Sequence, residues 1–126
     1  MEAYLDTHVA AHLAADNKKK LSRLAKQAIE RYDLLCSPIV RIELQYLFEI
    51  QRSDHPADYV LQHLEDTIGL RICTISFDRV TRAACRESWT RDAFDRVIVA
   101  QARAAGDAYL ITSDEHIRAH YAKAIW

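Results

Sequence analysis

The sequence predicts an α/β fold: a three-layer α/β/α sandwich around a parallel sheet of four or five strands. Three observations carry that expectation. Short apolar runs alternate with longer helix-forming stretches, the pattern of βαβ units and a parallel sheet. Gly69 and Gly106, the only glycines, each separate a helical stretch from a following apolar run, as left-handed caps do. With 126 residues, half of them hydrophobic and only two Pro, the chain reads as one domain over 1–126 with a real core and no linker.

Taken in order, Ala3, Tyr4 and Leu5 form a very short apolar run ending at Asp6, read as a buried first strand with Asp6 or Thr7 capping the helix after it. From His8 to Tyr32 the residues are strong helix formers interrupted near Asp16–Asn17. A helical hairpin is expected there, with Leu21, Leu24, Ala28, Ile29 and Tyr32 inward. Leu34 to Cys36 is a second strand. Ser37 then serves as N-cap and Pro38 as the first helical residue. At about 100° per residue, Ile39, Ile42, Tyr46, Leu47 and Ile50 share one stripe, and Glu43 falls inside it. Leu44 and Phe48 lie well off that stripe, so this helix is apolar around most of its circumference. Such a helix is either deeply buried or shows a second face to a partner.

Pro56 opens a helix running to Ile68, and Leu70 to Ile75 reads as a strand. Ser76 caps a helix reaching about Ser88. Asp92 and Asp95 open the next one, whose Phe94, Val97, Ile98 and Ala102 face a core. Ala108 to Thr112 is a short strand with Asp114 directly at its carboxyl end; Asp114 opens a short final helix, and Ala124–Trp126 is a last strand.

Composition narrows the function. A formal net charge of −1 argues against a nucleic-acid binder driven by global charge, yet leaves room for a nuclease whose acids offset local basic residues. Cys36, Cys73 and Cys85 are an odd number without Cys-x-x-Cys spacing and lie in apolar contexts, as in a reduced cytosolic core. There is no signal peptide, internal repeat or apolar run long enough to span a bilayer. The expectation is a small soluble cytoplasmic domain with no membrane association.

The acids are the informative residues. Each has an ordinary explanation: Asp92, Asp95 and Asp114 are good helix-start residues, and Asp6 ends a strand in a turn. Glu43 is harder to dismiss, because burying a charge costs several kcal/mol unless it is paired, protonated or metal-bound. In a parallel sheet, moreover, Asp6, Glu43, Asp95 and Asp114 all fall at the same edge, beyond the carboxyl ends of strands. Two carboxylates about 4 Å apart repel by roughly 1 to 4 kcal/mol. Four of them call for a cation, and an all-oxygen site suits Mg²⁺ or Mn²⁺. The matching chemistry is metal-assisted phosphodiester hydrolysis, in which the metal activates a water and no Ser, Cys or His nucleophile is needed.

These same segments carry a family resemblance. Leu5-Asp6-Thr7-His8, Ser37-Pro38 with Glu43, Arg91-Asp92-Ala93-Phe94-Asp95-Arg96 followed by Val97-Ile98-Val99-Ala100-Gln101-Ala102, and Leu110-Ile111-Thr112-Ser113-Asp114 together resemble a PIN domain. More narrowly they are similar to the VapC toxins of toxin–antitoxin pairs, over the whole chain. The resemblance implies a Mg²⁺-dependent endoribonuclease that cuts RNA, is usually a homodimer, and is held inactive by a cognate VapB-type antitoxin. Residue by residue, it assigns Asp6, Glu43, Asp95 and Asp114 to the acidic quartet, with Asp6 and Asp95 holding the principal metal. Asp92 matches an additional acid before the helix, and Thr112 a hydroxyl that orients an acid or a water. Ala93 stands where relatives often have Pro, and both suit a first helical turn.

Other features have plainer readings. Arg91 and Arg96 flank the acids and are placed to hold a substrate phosphate, unless Arg96 pairs with Asp92 or a neighbouring acid. His8 with His12, and His116 with His120, stand four apart as zinc pairs do, but without the His-Glu-x-x-His pattern they read as surface or capping histidines. Lys18-Lys19-Lys20 with Arg23 and Lys26 is a basic helical face. Tyr46, Phe48, Tyr59 and Trp89 are expected in the core or an interface. Two rival functions remain: a catalytically silent PIN-like module that binds RNA or protein, and, less favoured, a receiver-like phospho-acceptor. The latter wants adjacent acids after the first strand and a late-strand Lys, where this chain has a lone Asp6 and Thr112-Ser113-Asp114.

Overall fold

The computed structural model describes residues 1–126. Its elements run β1 (Glu2–Leu5), α1 (Thr7–Ala14), α2 (Arg23–Arg31), β2 (Asp33–Cys36), α3 (Ile39–Glu49), α4 (Ala57–Ile68), β3 (Arg71–Ile72), α5 (Phe77–Ala84), α6 (Ala93–Ala104), β4 (Tyr109–Ile111), α7 (Glu115–His120) and β5 (Ala124–Ile125). The five strands form one sheet in the order β3-β2-β1-β4-β5, every pairing parallel. The α/β class with a five-stranded parallel sheet is therefore as expected. Consecutive residues Ala3, Tyr4 and Leu5 of β1, and Leu34, Leu35 and Cys36 of β2, are all buried, so both faces of the sheet are covered.

The order places the site. The chain moves outward from β1 to β2 and β3, then returns across to β4 and β5. Neighbouring β1 and β4 thus flank the point where the winding reverses, and in such sheets the crevice beyond the carboxyl ends opens there. In register, Leu5 lies opposite Ile111, which sets Asp6 beside Thr112. A contiguous core of 26 buried residues surrounds the sheet, and Val80, Ala84, Val97 and Ala100 form a smaller cluster between α5 and α6.

Several local expectations are corrected. In the hairpin Leu24 is 56% exposed and Ala25 takes the inward position, because α2 turns its small Ala25–Ala28 line to the core. Lys18–Lys20 is a single 3₁₀ turn, separate from the α2 that carries Arg23 and Lys26. In α3 the buried line is Val40, Leu44 and Leu47, whereas Ile42 is 57% and Tyr46 49% exposed. That helix carries two apolar lines, and periodicity alone does not say which one meets the sheet. Phe48, Ile50 and Tyr59 are exposed too, so of the four large aromatics only Trp89 packs against the core.

Strand β3 covers two residues of the expected six, although Leu70 and Cys73 on either side are buried. Helix α5 stops at Ala84, and the chain then loops inward to bury Glu87. All three thiols are free; Cys36 and Cys73 are buried, but Cys85 is exposed, against expectation. Burial pushes the Cys36 thiol up to about 12, which keeps it protonated and inert.

Candidate active site

Strands β1 and β4 end side by side, and their first residues beyond the ladder are polar. The Asp6 amide donates to the Ile111 carbonyl (3.1 Å), which extends the pairing by one step. The Asp6 side chain, 4% exposed, is then held from two sides: Oδ1 accepts from the Thr7 amide (2.7 Å) and Oδ2 from the Thr112 hydroxyl (2.6 Å). The same Thr112 Oγ1 accepts from the Asp114 amide (3.0 Å), so one wholly buried hydroxyl ties the two strand ends together. Asp114 in turn caps α7, with Oδ1 accepting from the Ile117 amide at 2.9 Å. Asp92 caps α6 through a 3.1 Å bond from the Asp95 amide, the arrangement its spacing suggested.

Asp95 and Glu43 are different. Neither carboxylate joins any of the chain's five ion pairs. Asp95 is pushed up to about 7, first by burial and then by repulsion from Asp92, Asp114, Asp6 and Glu43. Burial raises Glu43 as well; the nearby Thr7 hydroxyl opposes that shift, Asp6 and Asp92 add to it, and His8 counters them. Asp6 is raised by burial despite the opposing Thr112 bond, His8 and the Thr7 amide, with Asp114 adding to the rise. Five acids from the end of β1, α3, the start of α6 and the end of β4 therefore share one field, with His8 next to Asp6 and Glu43.

This arrangement suits an oxygen-liganded divalent cation. The donors are all carboxylate and their mutual repulsion is only partly offset by His8 and by hydrogen bonds to Asp6, the condition that a bound Mg²⁺ or Mn²⁺ relieves. Thr7 Oγ1 is fully buried and forms no complete hydrogen bond, yet it lies near enough to the Glu43 carboxyl to hold it lower. As the side chains stand, no three His, Cys, Asp or Glu residues enclose a metal position.

Arg91 and Arg96 border this edge without pairing to its acids. Arg91 Nη1 donates to the Ser88 carbonyl (2.9 Å) and Arg96 Nε to the Thr90 carbonyl (2.8 Å), so both brace the loop entering α6. The ion pair considered for Arg96 does not form. His116 and His120 pack against Trp89, with His120 stacked at 4.8 Å. From the sequence, Thr7 had only a capping role and His8 read as a surface or capping histidine. A hydroxyl left without a partner is a property of tertiary packing, with no local sequence signal.

The Thr112 bridge yields a direct expectation. Thr112→Val keeps the shape but removes the hydrogen bond that favours ionised Asp6, at a cost of about 1–3 kcal/mol in thermal or urea unfolding. The Asp6 carboxyl should titrate still higher in that variant, measurable by NMR; an unchanged stability would show that the bridge contributes nothing.

A family model described as PIN domain matches residues 3–123 of this chain. No curated protein matches it. Among solved structures, it is similar to a toxin–antitoxin complex from Klebsiella pneumoniae, with a TM-score of 0.64 at 20% identity over 98% of this chain and 96% of that one. It is also similar to VapBC2 from Rickettsia felis bound to a DNA fragment from their promoter, with a TM-score of 0.54 at 17% identity over 94% and 92% of the two chains. At these identities the likeness is one of fold.

Proposed function

The chain belongs to the PIN domain family, and on that premise we propose that it is a Mg²⁺-dependent endoribonuclease, the VapC-type toxin of a toxin–antitoxin pair. The observation that carries the proposal is the group of acids where the sheet's winding reverses, in which burial first and the neighbouring acids second push Asp95 up to about 7. Structural neighbours described as toxin–antitoxin complexes support the toxin reading.

In this reading Asp6 and Asp95 hold the principal cation, Mg²⁺ or alternatively Mn²⁺, and Glu43 and Asp114 complete the site. When bound, the cation supplies an acidified water and neutralises charge on the attacking and leaving oxygens of the phosphodiester. The chain's own residues do the rest. Thr112 fixes Asp6 through its 2.6 Å bond, so the deepest carboxylate presents one orientation. Asp92 holds the first turn of α6 and with it the position of Asp95. Glu43, whose carboxyl is raised by burial, is suited to take up the proton lost by the attacking water. Arg91 and Arg96 retain free guanidinium nitrogens for the substrate phosphate.

The exposed Ile42, Tyr46 and Ile50 line of α3 is the surface we assign to the homodimer and the VapB-type antitoxin. No helix is long and apolar enough to cross a membrane, which accords with a cytoplasmic toxin. A receiver-like function is set aside: that fold has strand order 2-1-3-4-5, whereas this sheet runs β3-β2-β1-β4-β5. The silent PIN-like module keeps one observation in its favour, the lack of a ready-made metal cage.

Incubating the purified chain with total RNA, in Mg²⁺ and in excess EDTA, separates the two. Cleavage that appears with Mg²⁺, stops with EDTA and returns on adding Mg²⁺ supports the nuclease. RNA binding without cleavage under every condition would favour the silent module.

A further inference from the structure

Away from the acids, a cleft of about 430 Å³ opens between α5, the turn after it and the last turn of α6. It is lined by Arg79, Arg86, Arg103 and Glu87, with Ala83 and Ala104 as its only apolar residues. We propose that this cleft is an exosite for the RNA strand, gripping backbone phosphates beyond the cleaved bond; it rests on the ribonuclease reading above.

The charge arrangement carries the argument. Glu87 is buried and fully committed: Oε1 pairs with Arg103 Nε, and Oε2 accepts from the Trp89 indole at 2.6 Å. Arg103 is further held by a bond from Nη2 to the His120 carbonyl (3.2 Å) and by lying 4.9 Å over the Tyr121 ring. One guanidinium is therefore pre-positioned, with its charge balanced by a carboxylate each of whose oxygens already accepts one hydrogen bond. Arg79 and Arg86 take part in none of the chain's ion pairs, while their neighbour Arg82 is neutralised by Asp78 at 3.0 Å. Two uncompensated positive charges thus border a concave surface, in a chain whose net charge is −1.

The lining selects the ligand. Guanidinium groups bind phosphate oxygens bidentately and are the side chains best suited to them. The cleft has no aromatic platform on which a base would stack, so it takes the backbone and adds affinity without sequence preference. An acidic peptide would want an apolar groove as well as charge, and two alanine methyl groups do not make one. Arg103 lies eight residues beyond Asp95 on the same helix, about 12 Å along its axis. The middle of α6, Val97 to Ala102, is buried, so the path between the two places is the 87–92 loop, where Ser88 and Arg91 are exposed.

The test measures RNA affinity in the Asp95→Asn protein, so that no cleavage interferes, with and without Arg79→Glu and Arg86→Glu together. Both arginines are exposed and unpaired, so the variant should fold, which its melting temperature checks. A long single-stranded RNA is expected to bind about tenfold or more weakly to the arginine variant, with the slope of log affinity on log salt reduced by about 1.4 for two lost phosphate contacts. Equal RNA affinity in the two proteins would overturn the exosite and leave the nuclease reading intact. Displacement of the RNA by polyglutamate at equal charge concentration would also overturn it, by assigning the cleft to an acidic protein. Displacement by millimolar inorganic phosphate alone would assign it to free anions and overturn it likewise. Wild-type cleavage, measured separately with Mg²⁺, reports on the nuclease reading independently of all of these.

Discussion

Replacing Asp95 by asparagine is expected to lower RNA cleavage by at least about 100-fold and to leave the cation-free protein at pH 8 as stable as the wild type, or more stable. The two halves of that result have one cause. Asp95 stands in the first turn of α6, where a carboxylate ordinarily gains from the helix dipole and titrates low. Here burial and four neighbouring acids win instead and push it up to about 7. Its charge is therefore a burden on the fold unless a cation is bound, and asparagine removes the charge while keeping the shape. The capping bond is untouched, because Asp92 supplies the acceptor and Asp95 only its backbone amide. A large drop in melting temperature for Asp95→Asn in EDTA would show instead that the carboxylate is there to hold the helix.

The second large effect is the pH dependence of the cation-free wild type, which should lose stability as pH rises from 5 to 8. An unfolded aspartate titrates near 3.9, whereas folded Asp95 titrates at about 7. A carboxyl raised on folding binds its proton more tightly in the native state. The stability it contributes is present on the acid side and lost as pH climbs between those two values. Glu43 and Asp6, both raised, act with the same sign. Asp95 is only partly buried, so after allowing for solvent screening the loss is about 1–3 kcal/mol, or about 4–12 °C in melting temperature for a chain of this size. Saturating Mg²⁺ should flatten the profile, adding about 2.7 kcal/mol at a hundred times its dissociation constant. Melting curves across pH, with EDTA and with Mg²⁺, check this. Carboxylates engaged in ordinary ion pairs would give the opposite slope, with stability falling toward acid.

The features legible in the sequence were those that short-range chemistry decides. Asp6 directly after an apolar triplet, Asp92 three residues before Asp95, and Asp114 after Thr112 each declare a strand end or a helix start, and the structure has all three there. Gly69 and Gly106 adopt the left-handed φ of +69° and +79° that their positions between helix and strand demanded. The face of α3 was not legible, because both Val40–Leu44–Leu47 and Ile42–Tyr46–Ile50 are apolar lines and only the sheet chooses between them. Nor was the shortness of β3: an edge strand is ended by the loss of its neighbour, whatever its own residues prefer. The unpartnered Thr7 hydroxyl and the Glu87–Arg103–His120 network join residues far apart in the chain, and no spacing rule reaches them.

The central claim is that the acids at the ends of β1 and β4 and on α3 and α6 form a divalent-cation site. Isothermal titration of the purified chain with Mn²⁺ and Mg²⁺ near pH 7, in buffers of different ionisation enthalpy and beside Asp95→Asn, tests it most directly. Saturable binding that releases protons, because Asp95 is part-protonated at that pH, and that weakens about tenfold or more in the variant, is the predicted result. Absence of saturable binding at millimolar cation, or equal binding by the two proteins, would contradict it.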